Sequence, residues 1–259
     1  MADSPRNAHV PVRREYVDEL RWTFSHRRSW LIAFTANLIL AAAFVGYERY
    51  SPRTGGLKLA GAAAELAAWV LASTLTTNQL GDDAANVLSR IDHGDHIVHI
   101  LLSKDLVLAS LLLPITLAVS VAAQLDITRM NRLAPSLTED LLDVFVVLLW
   151  LGIGALTSVL MPYRNIPLRA RWRARRTWPR WLACQALPYV LFFTVIPLLT
   201  WPAYEAAGHL FGGRRTNLAE YSTTFVFWGA TVWVGGLALA TLYVRRAPDR
   251  FLTDLRRPS

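Results

Sequence analysis

One cysteine, Cys184, is the whole thiol content of this chain, and it excludes an internal disulfide and any metal site built from several cysteines. Lysine is almost as scarce: Lys58 and Lys104 stand against a large excess of arginine. The phosphate-binding loop of an ATPase, the G-x-S-x-G turn of a hydrolase, the HExxH pair and the dinucleotide fingerprint are all missing. The chain is therefore expected to have no catalytic residues, no ATPase site and no cofactor of its own. No cleavable leader is expected, because the first apolar run begins near Trp30 after a long charged segment and no small-residue cleavage site follows it. That run is expected to be retained as a span.

What the sequence does contain is apolar length. Hydrophobic residues make up 53% of the 259, ten of them tryptophan, with a mean hydropathy of +0.29, and they are gathered into runs separated by charged segments. Water cannot solvate backbone inside a bilayer, so each run of about 18 to 22 apolar residues must close its own hydrogen bonds as a helix. The reading is an all-α, polytopic membrane protein of six spans, near 30–47, 59–77, 105–125, 141–161, 181–201 and 223–244. Counting Lys and Arg gives about 20 in the tails and the second and fourth loops against about 7 in the other loops, which places both termini in the cytoplasm. The arginines explain the net charge of +8 as topology anchors that meet anionic headgroups, so membrane lipids and not nucleic acid are the expected partners of that charge. The expected location is a bacterial cytoplasmic membrane, crossed several times.

The chain divides into a cytoplasmic tail with an interfacial helix (1–29), a six-helix membrane domain (30–244) and a cytoplasmic tail (245–259). In the first part Tyr16, Val17, Leu20 and Phe24 recur at helical spacing among arginines and acids, as in a helix lying in the headgroup layer. Within the membrane domain, 78–104 is a cytoplasmic loop, 162–180 is a basic loop, and 202–222 is an outer loop whose short apolar piece suits a re-entrant pair of helices. Ser136 and Glu139 form a capping pattern at the start of the fourth span. Small residues spaced by four, namely Ala64, Ala68 and Ala72, Gly154 and Ser158, and Gly236 and Ala240, predict close helix contacts. Pro114, Pro188 and Pro197 lie inside spans, where each removes a helix hydrogen bond.

Three sets of polar residues suggest chemistry. Asp92, His96 and His99 are spaced to share one helical face and are weak candidates for a cation site; a membrane-embedded metal-dependent enzyme built on His96 and His99 is the alternative reading, and a non-transporting scaffold a third. Asn37 and Glu65 fall inside the first and second spans, where a polar group must face a partner or a cavity, and they are candidates for a substrate pathway. Asp126, Glu139, Asp140 and Asp143 are expected at outer interfaces, where a carboxylate costs little.

The segment 78–104 is the one long polar stretch between apolar runs that is neither a tail nor an arginine cluster, and it reads as short amphipathic helices. Val87, Leu88 and Ile91 form an apolar ridge, with Asp82, Asp83 and Arg90 available for polar contacts. Here the sequence resembles the membrane subunits of bacterial ABC exporters, the type-2 exporter permease family. That family's loop runs Glu-x-x-Gly-Thr-Leu, then Pro, then Leu-Leu-x-Lys. Placing its lysine on Lys104 brings its leucines to Leu101 and Leu102, its acidic residue to Asp83 and a further leucine to Val87, while Ala85 replaces its glycine and Gly94 its proline. The resemblance implies a permease driven by alternating access, paired with a second permease copy as homo- or heterodimer and with two copies of a cytosolic ATPase that holds ATP and magnesium. It makes 81–91 a coupling helix, with Gly81, Asp82, Asp83, Val87, Leu88, Arg90 and Ile91 as its ATPase-coupling residues.

Overall fold

The computed structural model describes residues 12–26, parts of 31–43, 78–131, 137–163, parts of 178–198, and 218–256. Among them every regular element is helical: α1 (Val12–His26), α2 (Ala84–Asp92), α3 (Ile97–Asn131), α4 (Leu137–Leu160), α5 (Leu218–Arg246) and α6 (Pro248–Arg256). Three helices are long and apolar enough to cross a membrane, at Ile97–Ala118, Asp143–Leu160 and Thr224–Arg246. The second and third of these match the fourth and sixth expected spans to within two residues, and the first overlaps the third expected span. A shorter apolar helix, Leu182–Val195, falls in the fifth. The second span, most of the first, the basic stretch 164–177 and the outer segment 202–217 lie outside the described residues.

Among the described residues the most extensive helix pairing is that of α4 with α5. A Cβ on Gly236 would overlap the Gly152 carbonyl, and one on Gly152 would meet the Val232 backbone, so the two helices approach backbone to backbone. Gly236 and Ala240 lie in this contact as their spacing suggested, and Ser158 and Ala240 are fully buried. On the α4 side the close approach is made by Gly152, two residues before the expected Gly154. Beside the pair, Trp150 stacks on Phe192 with ring centroids 4.4 Å apart and meets Tyr189 edge-on, which holds the Leu182–Val195 helix against α4. Such aromatic pairs contribute about 0.5–1.5 kcal/mol each beyond burial. Leu108 and Leu112 of α3 interlock with Val147 and Leu151 of α4, and Leu31, Phe34 and Leu38 cover that seam.

Asp143 stands at the first residue of its candidate span but is 1% exposed, so its carboxylate is not the low-cost, water-facing group expected there. A correction concerns the loop. The third span does not begin at Asp105: α3 runs unbroken from Ile97, eight residues earlier, so the C-terminal part of the polar loop is the first two turns of a long helix that contains Pro114.

The last element was read only as a tail. In Pro248–Arg256 the residues Phe251 and Leu255 are each 1% exposed, and they enter a core made by Leu80, Val87, Ile100, Leu101, Ala155 and Ala240. The C-terminal helix therefore packs against the back of α2. Four-residue spacing puts Phe251 and Leu255 on one side, and the charged Asp249, Arg250 and Arg256 remain exposed on the other.

Candidate functional site

The loop is fastened to the bundle by a buried ionic cluster around Lys104. Its Nζ lies 2.6 Å from Glu19 Oε1 of α1 and 2.8 Å from Asp83 Oδ2, the residue before α2. Lys104 is 2% exposed, Glu19 3% and Asp83 8%, so three ionic groups meet with almost no water. Removing charges from water costs several kcal/mol per ion, and only close pairing with further hydrogen bonds offsets it. Those bonds are present. Trp22 Nε1 donates to Asp83 Oδ1 over 3.0 Å, and Asn86 Nδ2 donates to Asp83 Oδ2 over 3.0 Å.

Asp83 occupies the N-cap position of α2, yet its carboxylate makes no cap hydrogen bond to the helix. An N-cap aspartate ordinarily accepts from the first free N–H groups of its helix. Here the side chain is turned away to Lys104, Trp22 and Asn86, and the helix start is held by backbone, with Val87 N–H donating to Asp83 O over 3.0 Å. Burial is the largest single influence on the Asp83 carboxyl and raises its pKa. The Lys104 charge, with the hydrogen bonds from Lys104, Asn86 and Trp22, outweighs it, and the pKa settles below the ordinary aspartate value. A carboxyl depressed on folding stabilises the fold above its unfolded pKa of about 4, and that stability is lost as pH falls through the lower folded value. Amide exchange in α2 is accordingly expected to be unchanged by this group from neutral pH down to about 5, with its protection lost only in stronger acid.

Arg90 closes the other end of α2. Its guanidinium reaches Glu19 at 3.2 Å, Ser103 Oγ at 3.3 Å, Asp95 at 2.8 Å and, more distantly, Glu15 at 3.9 Å. Glu19 thus joins both cations of the cluster. Between α2 and α3 the chain turns at Gly94, whose φ of +94° is a backbone conformation that side chains other than glycine disfavour.

At the start of the loop Asn78 clasps the chain after α4: its Nδ2 donates to Tyr163 O over 2.6 Å and to Asp82 Oδ1 over 2.9 Å, while Tyr163 N–H donates to Asn78 Oδ1 over 3.3 Å. A Cβ at Gly81 would overlap both Asn78 Oδ1 and the Tyr163 carbonyl, so glycine is needed there for the clasp itself. One residue on, Gln79 Nε2 donates to Asp105 Oδ1 over 2.7 Å, its backbone N–H donates to Ser158 Oγ over 3.0 Å, and Trp233 Nε1 donates to Asp105 Oδ2 over 2.7 Å. These contacts tie the loop to α3, α4 and α5 at once.

The expected coupling residues fall on two sides. Gly81, Asp83 and Val87 are buried, Leu88, Arg90 and Ile91 are half-buried, and Asp82 is exposed. The ridge of Val87, Leu88 and Ile91 is not open as its spacing suggested, because it packs on the core that includes Phe251 and Leu255. Asp83 and Arg90 make the polar contacts expected of them, and make them within the chain, to Lys104, Glu19 and Asp95. The open face of α2 is instead Ala85, Ser89 and Asp92, continued by Asp82 before the helix and His93 after it. Beside it, a polar groove of about 440 Å³ runs between α1 and α2, walled by Arg14, Asp18, Trp22 and Asn86 among others.

The shared face expected of Asp92, His96 and His99 does not exist. Asp92 ends α2, the turn at Gly94 intervenes, and α3 begins only at Ile97. His96 and His99 have ring centroids 6.2 Å apart, and His99 Nδ1 lies 4.0 Å from Glu15. Among the described residues no group of three or more His, Cys, Asp or Glu side chains is arranged to hold a metal. Asn37 and Glu65 lie outside the described residues.

Glu15, Glu19 and Trp22 are site residues that periodicity concealed. On α1 the stripe of Tyr16, Val17, Leu20 and Phe24 looked like the one that matters, whereas the most buried positions are Glu19 and Thr23, and Phe24 is 52% exposed. The available signal was the rarity of lysine, since Lys104 requires carboxylates wherever it is buried. Compared with protein-family models, curated proteins and solved structures, the chain matches none.

Proposed function

We propose that the chain is the permease subunit of an ATP-driven exporter of the ABC type, with α2 as its coupling helix. What supports this reading most is the contact between Asp83 and Lys104 at 2.8 Å. These are the two positions on which the family's acidic residue and lysine fall, and their pairing gives that spacing a mechanical reason. A separate cytosolic ATPase, in two copies that hold ATP and magnesium, bears on the exposed side of α2, and a second permease, identical or similar, completes the pathway in the bacterial cytoplasmic membrane. Both chain ends lie on the ATPase side.

A push on α2 needs a rigid route into the membrane. The Lys104 cluster carries it to α1 and α3, and the Gln79–Asp105–Trp233 hydrogen bonds carry it to α5. In this scheme the permease does no covalent chemistry; it converts closure of the ATPases into rocking between inward-facing and outward-facing states.

The test uses the tagged full chain, purified in mild detergent with the ATPase that accompanies it. Ala85→Arg combined with Ser89→Arg alters only exposed positions, and is expected to leave the protein monodisperse while abolishing ATPase association and transport. Val87→Asp, by contrast, is expected to damage folding. A doubly substituted protein that still transports would remove α2 from the mechanism, and a wild-type protein that neither captures nor reconstitutes with any ATPase would remove the exporter reading itself.

A further inference from the structure

Where α5 meets α6, a cavity of about 200 Å³ opens beneath the last turn of a helix long enough to cross a membrane. Ile97, Val98, Val244, Phe251 and Leu252 give it a largely apolar lining, which Arg245 also joins. Arg246 follows on the last turn of α5, and Arg250 is exposed on the first turns of α6. Asp95 and His96 also line the cavity, and the Asp95 carboxylate is engaged with Arg90 at 2.8 Å.

The wall does not end at the cavity. Thr241 and Arg245 share their side of α5 with Ala238, Val234, Thr231 and Phe227, spaced by three and four residues. Phe227 is 70% and Val234 61% exposed, and Ala238 is exposed as well. The two threonines do not interrupt this apolar stripe. Thr231 donates its hydroxyl to Phe227 O over 2.9 Å and Thr241 to Leu237 O over 2.8 Å, so both polar groups are spent inside the helix. From Phe227 to Arg245 the stripe rises roughly 27 Å at 1.5 Å per residue, close to the hydrocarbon thickness of about 30 Å.

We propose that this stripe and cavity bind one anionic phospholipid, its phosphate on Arg245 and Arg246 and an acyl chain seated in the cavity and along α5. Charge and length together select this occupant. Arg245 and Arg246 stand together at the end of the stripe that holds the cavity, and apolar surface continues from them along α5 toward Phe227. A zwitterionic lipid brings the same phosphate but offsets its charge with a headgroup cation, so it answers the arginines less well. The site rests on α5 crossing a membrane and does not depend on an ATPase partner.

Native mass spectrometry of the delipidated full chain, titrated with phosphatidylglycerol or phosphatidylcholine, tests it. One phosphatidylglycerol per chain is expected, held at least about fivefold more tightly than phosphatidylcholine, since one arginine near an anionic headgroup contributes about 1 kcal/mol. Arg245→Gln is expected to lose about that factor. Val98→Trp, which fills the cavity, is expected to lose the bound lipid, whereas Arg256→Gln, outside the cavity, is expected to retain it. Excess inorganic phosphate should not displace the lipid. Equal affinity for the two lipids, wild-type binding by Arg245→Gln, or displacement by inorganic phosphate would each overturn the proposal, as would a stripe found covered by a second copy of the chain. Because Arg245 is exposed, its variant keeps the test decisive even where the tryptophan variant fails to fold.

Discussion

Replacing Lys104 with methionine is expected to destabilise the protein by about 3–5 kcal/mol, the cost of leaving buried charges without their partner. Methionine preserves most of the side-chain length and the packing, so the change isolates the charge. Glu19 and Asp83, at 3% and 8% exposure, would then face each other across an apolar gap, and each must take up a proton or drag the loop into water. Release of the loop is the cheaper response, because Lys104 is the cation shared by α1 and the chain before α2, and the Trp22–Asp83 hydrogen bond and Arg90–Glu19 pair that remain do not neutralise Asp83. Limited trypsin digestion reads it directly: cleavage after Arg90, slow in the wild type, is expected to become fast, together with a lower melting temperature in detergent. Adding Asp83→Asn and Glu19→Gln to Lys104→Met should restore part of the loss, since the neutral amides no longer need a cation. An unchanged melting temperature in the single variant would show that the cluster contributes nothing to holding the loop.

Phe251→Ala is the second large effect, expected at about 3–5 kcal/mol for truncating a fully buried aromatic side chain. Phe251 and Leu255 are the two deeply buried contacts of α6, and the surface they cover includes Val87 of α2. With the phenyl ring gone, α6 has little left to hold it against fraying, because a nine-residue helix is not stable alone in water. Hydrogen exchange should therefore accelerate throughout α6 and in α2, while α1 stays protected through Lys104. That pattern separates this variant from Lys104→Met, in which α1 is released as well. If exchange in α6 is unaltered, the C-terminal helix is held by something other than Phe251.

Hydropathy alone located the described spans. Runs such as 141–161 and 223–244 are too long and too apolar to be anything but helices, since backbone in hydrocarbon has no other way to close its hydrogen bonds. The short helix α2 was also legible, from the spacing of Val87, Leu88 and Ile91. Its partner was not. Periodicity states which residues share a face but not what covers it, and the covering element came from a short segment, four of its nine residues charged, in which only Phe251, Leu252 and Leu255 mark an apolar side. For that reason the ridge looked like an open docking surface, and the surface that is open is its polar opposite.

The same distinction holds for charge. Sequence comparison set Asp83 and Lys104 on matching positions of a loop pattern, but a lysine 21 residues from an aspartate and 85 from a glutamate carries no local sign of meeting either. By itself the sequence determined the helices, because helix formation in an apolar run depends on neighbours within four residues. Only the tertiary structure decided which buried cation answers which carboxylate and which face of α2 remains in contact with water, because those pairings depend on groups brought together from three distant parts of the chain.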